Sequence, residues 1–156
     1  MKKILFALGL AIAIAIPAFA QAREVTFTTE LLNYGGDGAY VALYLVDDSG
    51  KYQGTLWVAG EKSKYYEHLS GWARASRLNP AEYDGLTGAS ITSGRTLKIT
   101  FNLDDSLIDS GYEVRVDTAV EDMMDIRTDA ALPLTTEGSG QAVAGRGYIR
   151  SFRYDL

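Results

Sequence analysis

Apolar and polar residues alternate along several segments of the chain. Over Glu24–Glu30 valine and phenylalanine alternate with threonine, and a period of two is typical of a strand with one buried face. The same alternation recurs over residues 96–101 and 112–117, each predicted to be a strand with one face in water. The closing segment, Gly147–Tyr154, carries three aromatic residues and is predicted to pair as a terminal strand.

Two turn-rich connectors predict hairpins. Tyr40–Val46 is apolar on both faces, and the polar turn Asp47–Gly50 separates it from a second β-rich stretch within Gly54–Gly60. This pair is predicted to form a central hairpin. The connector Asn102–Gly111 joins two alternating segments and is predicted to close another hairpin.

One segment has a helical spacing of apolar residues. Tyr65, Leu69 and Trp72 fall at i, i+4 and i+7 after Ser63, a residue type that caps helices. Gly71 disfavours the helix. The pattern nevertheless predicts one short amphipathic helix.

Asp125–Gly145 contains proline, threonines and a Gly-Ser-Gly run, and it is predicted to be a loop with a short strand at Ala130–Leu134. About seven short strands with one inserted helix are typical of an all-β, immunoglobulin-like antiparallel β-sandwich. The fold class predicted is therefore all-β.

The amino-acid composition excludes several kinds of functional site. A chain of 156 residues is long enough for one ordinary domain. With 15 basic and 20 acidic residues its formal charge is −5, which argues against a nucleic-acid partner. There is no cysteine and a single histidine, His68, so thiolate-held metals, iron–sulfur clusters and thioether-linked haem are excluded, and a catalytic triad is disfavoured.

Residues 1–22 have the organisation of a cleaved secretory signal peptide. Lys2 and Lys3 precede an apolar run that Pro17 ends, and small residues then allow cleavage after residue 20 or after residue 22. The run is shorter than a membrane-spanning helix needs. Residues 23–156 are thus predicted to form one exported domain, located in the periplasm and not integral to the membrane. Loss of the two lysines takes its charge from −5 to −7.

The segment that carries candidate chemistry is Asp84–Ser90, with the sequence DGLTGAS. Gly85 and Gly88 allow close approach of the backbone to a bulky group, and Thr87 and Ser90 supply hydroxyl groups. Such a segment suits a phosphate, although many glycine-rich surface loops bind nothing.

DGLTGAS resembles the acceptor motif of covalently flavinylated bacterial proteins, Asp-x-x-Ser/Thr-Gly-Ala-Ser/Thr. In that family a periplasmic FMN transferase attaches FMN to the last hydroxyl residue through a phosphoester bond. The resemblance implies covalent FMN on Ser90, in place of the commoner threonine. Asp84 matches the acidic position, and the remaining residues of the implied cofactor-binding segment are Gly85, Thr87, Gly88 and Ala89.

The rest of the mature chain is similar to a periplasmic family of unknown function found beside PepSY-type membrane reductases. The similarity rests on YVALYLVDDSGKYQGTLWV, KYYEHLSGW and TFNLDDSLIDSGYEVRV as well as on the motif. It implies a periplasmic electron-transfer flavoprotein, an electron carrier more than a stand-alone catalyst. The implied partners are an FMN transferase and a PepSY-type or other membrane reductase as electron donor.

Two questions stay open at this level. Aromatic residues near the motif suit either stacking on a flavin ring or core packing: Tyr65, Tyr66, Trp72 and Tyr83. The alternative function is a non-redox β-sandwich module that binds a protein partner or a glycan, in which DGLTGAS is only a loop.

Overall fold

The computed structural model describes residues 21–156, so the predicted signal peptide lies outside the described residues except for its last two positions. The strands, in chain order, are β1 (Ala22–Leu31), β2 (Tyr40–Val46), β3 (Tyr52–Ala59), β4 (Thr87–Gly88), β5 (Thr96–Asp104), β6 (Glu113–Ala119), β7 (Ile126–Pro133), β8 (Ala142–Val143) and β9 (Ile149–Asp155). The helices are all short: a 3₁₀ helix at Ser63–His68, α1 (Ser70–Ser76), and 3₁₀ turns at Pro80–Glu82 and Asp105–Leu107.

The strands form two sheets that pack face to face. One sheet has the order β5-β1-β9-β8 and the other the order β4-β3-β2-β6-β7. All pairings are antiparallel except that of β3 with β4. The prediction of an all-β sandwich with a short helical insertion is confirmed, as is the central hairpin of β2 and β3.

The core between the sheets is aromatic at its centre. Phe27 of β1 stacks on Phe101 of β5, with ring centroids 5.4 Å apart, and on Phe152 of β9 at 6.3 Å. Phe27 and Phe152 are almost completely buried. The alternation in β1 therefore places its apolar residues against the second sheet, as the period of two predicts.

A third layer explains why β2 is apolar on both faces. Val41, Leu43 and Leu45 belong to the core between the sheets. The residues that alternate with them pack instead against Leu69 and Trp72 of the helical insertion, on the outer face of the five-stranded sheet: Ala42, Tyr44 and Val46. The insertion thus covers a sheet face that would otherwise expose a large apolar surface.

The helical segment differs from the predicted single helix. A 3₁₀ helix covers Ser63–His68, and α1 begins only at Ser70. Because the first part has three residues per turn, it buries Tyr66 and leaves Tyr65 half-buried. The predicted apolar face is wrong at Tyr65 and correct at Leu69 and Trp72, which are both fully buried.

The predicted hairpin over Asn102–Gly111 is also wrong. β5 pairs with β1 in one sheet, whereas β6 lies between β2 and β7 in the other. The connector crosses from sheet to sheet, and its Ile108 is buried in the core between them. Turn-forming residues indicate where the chain changes direction, but they do not distinguish a hairpin from a crossover between sheets.

Asp125–Gly145 is predicted to be a loop with a short strand at Ala130–Leu134, and the structure has the longer, eight-residue strand β7 there. Its polar residues suggest exposure, but Asp129 is only 1% exposed. The Asp129 carboxylate accepts hydrogen bonds from the hydroxyl group of Thr118 at 2.7 Å and from four consecutive backbone N–H groups, those of residues 146–149, at 2.7–3.2 Å. A buried carboxylate with this many donors is compatible with a strand.

We expect Asp129→Ala to lower the free energy of unfolding by about 3 kcal/mol or more, because it leaves several buried N–H groups without an acceptor. Urea unfolding followed by circular dichroism measures the change. The exposed turn residue Asp48 provides the control, since Asp48→Ala is expected to stay within about 0.5 kcal/mol of the parent protein. Equal effects of the two substitutions would contradict the structural role of Asp129.

Candidate functional site

The segment Asp84–Ser90 lies at the edge of the five-stranded sheet. Thr87 and Gly88 form β4, which pairs in parallel with Val58 and Ala59 of β3. The N–H of Val58 donates to the carbonyl oxygen of Leu86 at 2.9 Å, and the N–H of Gly60 donates to that of Gly88 at 2.7 Å. The segment is therefore not a free surface loop: its backbone is fixed to the sheet while most of its side chains face solvent.

Two glycines of the segment have different structural roles. Gly85 has φ +75°, in the left-handed region, within a turn that the N–H of Leu86 closes by donating to the carbonyl oxygen of Tyr83 at 2.9 Å. Gly88 packs against the Trp57 ring, where an added Cβ would lie 2.8 Å from Cζ2. The first glycine permits the turn, and the second permits close packing on the indole.

Ser90 lies beside the loop that joins β1 to β2. An antiparallel bridge pairs Ala39 with Ile91, with N···O distances of 2.7 and 2.9 Å. Ser90 is half-buried, and a Cβ at Gly38 would come within 2.8 Å of its Oγ. This hydroxyl therefore lies close against residue 38, which must be a glycine, a requirement that the sequence motif does not indicate.

The structure brings together only some of the predicted site residues. Asp84, Gly85 and Thr87 line a shallow pocket of about 240 Å³ together with Tyr66 and Tyr83. Gly88, Ala89 and Ser90 do not line this pocket; they continue along the sheet edge towards the β1–β2 loop.

The aromatic residues near the motif divide into core and surface. Trp72 is fully buried, and its Nε1 donates to Thr55 Oγ1 at 2.8 Å, so its role is core packing. Tyr66 is also buried and donates through its hydroxyl group to the carbonyl oxygen of Gly60 at 2.9 Å. Only Tyr65 and Tyr83 are half-exposed, and they are the members of the set that a ligand reaches directly.

These rings form a connected cluster. Tyr66 contacts the rings of Trp72 and Tyr83, with centroids 5.7 and 5.4 Å away, and its ring lies 6.3 Å from that of Tyr40. Burial, followed by the effects of Tyr83 and Tyr40, raises the pKa of Tyr66 above its usual value. Its hydroxyl group therefore stays protonated and keeps its hydrogen bond at neutral pH.

Sequence reasoning missed two residues under the segment. Tyr40 packs against Gly60, the residue that donates to Gly88, and a Cβ at Gly60 would clash with the Tyr40 ring. Trp57 supports Gly88, and its Nε1 is buried without a hydrogen-bond partner in the part of the chain from residue 21 onward. Both are aromatic residues on strands, and their sequence patterns do not distinguish them from ordinary core positions.

The described residues define an all-β sandwich with a helical third layer and a polar, glycine-rich segment on an exposed sheet edge. The chain belongs to the DUF2271 family, whose members are described as predicted periplasmic proteins; the family model matches residues 22–151. The predicted periplasmic location is confirmed. No curated protein and no solved structure matches the chain. Over residues 21–156, none of the helices has the length and apolar character required to span a bilayer.

We expect Gly88→Ala to destabilise the domain by about 1–3 kcal/mol, because the added methyl group must displace the Trp57 ring or the segment itself. Thermal unfolding and near-ultraviolet circular dichroism report the two effects. Gly54→Ala on β3 is the matched control, since a Cβ at Gly54 meets no atom within 4 Å. An unchanged tryptophan signal in Gly88→Ala would contradict the packing described here.

Proposed function

We propose that this periplasmic protein carries FMN attached covalently to Ser90 and transfers electrons between a membrane reductase and an extracytoplasmic acceptor. The observation that carries the proposal is the complete DGLTGAS motif on a periplasmic chain. Its placement supports the proposal, because Asp84, Gly85, Thr87 and Ala89 are exposed and a modifying enzyme can approach them.

The residues fit a phosphoester-linked group. Gly38 allows the β1–β2 loop to pass Ser90 Oγ without a clash, and Gly88 lets the segment lie flat against Trp57. Asp84 is the only acidic residue of the motif. It lies six residues before Ser90 and lines the shallow pocket beside the motif. The parallel pairing of β4 with β3 holds the segment in place.

Attachment is a group transfer to a hydroxyl. Ser90 Oγ forms a bond to the phosphorus of FMN, the bond from that phosphorus to the leaving group of an activated flavin donor, such as a flavin dinucleotide, breaks, and the hydroxyl proton is released. The periplasmic FMN transferase supplies the donor and its activation. The sandwich supplies the acceptor oxygen and a fixed backbone around it.

When bound, the flavin would supply one- and two-electron redox chemistry, and the protein would contribute position and electrostatics. A covalent bond suits a periplasmic carrier, because a cofactor that dissociates there is lost to the surroundings. The chain has no cysteine and only one histidine, so its own side chains offer little else for electron transfer. A PepSY-type membrane reductase is the proposed electron donor.

The proposal predicts that the mature protein produced with an FMN transferase gains the mass of one FMN less one water. Peptide mapping is expected to place the gain between Tyr83 and Arg95. Ser90→Ala should abolish the gain because the acceptor oxygen is gone, and Ser90→Thr should retain it.

Thr92→Ala is the matched control, because it removes an exposed hydroxyl two residues from the acceptor. It should carry FMN as the parent protein does. Covalent flavin that persists in Ser90→Ala would overturn the assignment, as would an unmodified parent protein in a strain that flavinylates a known substrate.

A further inference from the structure

A second pocket, here called the Tyr40 pocket, lies on the other side of the 3₁₀ helix from the motif pocket. It has a volume of about 260 Å³. Its lining combines Tyr40, Tyr65, Val120 and Met123 with His68 and three acidic residues, Glu121, Asp122 and Asp125. The sequence does not indicate this pocket, because its residues come from β2, the 3₁₀ helix and the segment after β6.

Ser90 and the Tyr40 pocket are adjacent in the fold. Ala39 and Ile91 form an antiparallel bridge. Tyr40 follows Ala39 and Ser90 precedes Ile91, so Tyr40 and Ser90 lie opposite each other on the two segments. Ala39 and Ile91 are buried in the core between the sheets, so alternation directs the Tyr40 and Ser90 side chains to the opposite side.

A second set of contacts also connects Ser90 with the Tyr40 pocket. The Tyr40 ring packs against Gly60, whose N–H donates to the carbonyl oxygen of Gly88 at 2.7 Å. Gly36, in the loop that passes Ser90, contacts Met123, since a Cβ there would lie 2.9 Å from Sδ. Gly38, which borders Ser90, is two residues further on, at most about 7 Å from Gly36 between Cα atoms. The loop therefore joins Ser90 to the pocket wall.

The lining of the Tyr40 pocket suits a flat aromatic ring system with a polar edge. Tyr40 and Tyr65 present rings with centroids 5.9 Å apart and an interplanar angle of 78°, and Val120 and Met123 add apolar contact. At the rim, His68 Nδ1 lies 3.0 Å from Asp125 Oδ2, which supplies polar groups. Pockets that hold cofactors combine apolar walls with a few polar groups in this way.

The pocket beside the motif is less suitable. Both pockets have acidic residues in their lining, so the pockets differ instead in the aromatic surface they offer. Tyr66 of the pocket beside the motif is already buried against Trp72 and Tyr83. Only one of its rings, Tyr83, is half-exposed, whereas the Tyr40 pocket has two half-exposed rings, Tyr40 and Tyr65, together with the apolar side chains of Val120 and Met123.

We propose that the Tyr40 pocket holds the isoalloxazine ring of the flavin attached to Ser90. The proposal rests on the proposed function and adds the place where the redox-active ring sits. Ser90 would hold the phosphate, and Tyr40 and Tyr65 would contact the ring. Met123, whose side chain is 44% exposed at the mouth of the pocket, would lie between the ring and an approaching redox partner.

The first test uses the unmodified mature protein and lumiflavin, which has the ring system without the phosphate arm. Amide chemical shift changes are expected to concentrate at Tyr40, Tyr65, Val120 and Met123. Tyr65→Ala should weaken lumiflavin binding about three- to tenfold, the factor that one aromatic stacking contact contributes. Tyr65→Phe keeps the ring and should bind as the parent protein does.

Tyr83→Ala is the matched control, because Tyr83 lines only the pocket beside the motif. It should leave lumiflavin binding unchanged. Shifts centred on Thr87 and Asp84, a larger effect of Tyr83→Ala than of Tyr65→Ala, or no binding at all would overturn the assignment. Thermal unfolding shows that each variant is folded before binding is measured.

The second test separates this proposal from the first one. In protein shown by mass to carry FMN on Ser90, Tyr65→Ala should raise the flavin fluorescence, since it removes a ring that stacks on the flavin. An FMN-bearing protein whose fluorescence is the same in Tyr65→Ala and the parent would overturn the ring site and leave the carrier function standing. A mature protein that never acquires FMN would overturn both.

Discussion

The buried carboxylate of Asp117 is the interaction on which the third layer depends. Asp117 lies in β6 and is 0% exposed. It accepts hydrogen bonds from the N–H of Trp72 at 2.8 Å, the N–H of Thr128 at 2.8 Å and the hydroxyl group of Tyr44 at 3.0 Å. One side chain thereby ties α1, β7 and β2 together. Because an unpartnered buried carboxylate costs several kcal/mol, these donors and the carboxylate stay in place together.

The position of the helical insertion in turn determines the surroundings of the motif. Gly71 is required where α1 meets the sheet, since a Cβ there would lie 2.7 Å from Asp117 Oδ2. With α1 seated, Trp72 is buried and supports Tyr66 and Tyr83. Tyr83 directly precedes Asp84, so the turn into the motif begins from a residue that the insertion fixes. The insertion also supplies Tyr65 to the Tyr40 pocket. Because Gly71 has no side chain, it weakens the helical pattern in the sequence and also allows α1 to pack against Asp117.

Strand alternation predicted the sandwich because one face of β1, β5 and β9 is buried and the other is wet, a local property of each segment. Which strands pair with one another is not a local property. The turn residues around Ile108 are the same for a hairpin and a crossover, and only burial between the sheets distinguishes them. Proline, threonines and the Gly-Ser-Gly run made the segment around β7 resemble a loop, and the burial of Asp129 was not visible because its hydrogen-bond donors lie 17–20 residues further along the chain. The motif was visible as a contiguous string, whereas the Tyr40 pocket joins three distant segments and has no contiguous signal.

Under the proposed function, the edge position of the motif would meet two opposing requirements. An acceptor hydroxyl must be reached by a modifying enzyme, which excludes a central strand such as β2, whose two faces are covered by the other sheet and by the helical insertion. A redox group must also be held in a defined place, which excludes a free loop. A two-residue edge strand meets both requirements: β4 pairs with β3 through the hydrogen bonds of Val58 and Gly60, while Thr87 and Ala89 remain exposed. The same short strand covers the last two residues of the edge of β3, Val58 and Ala59.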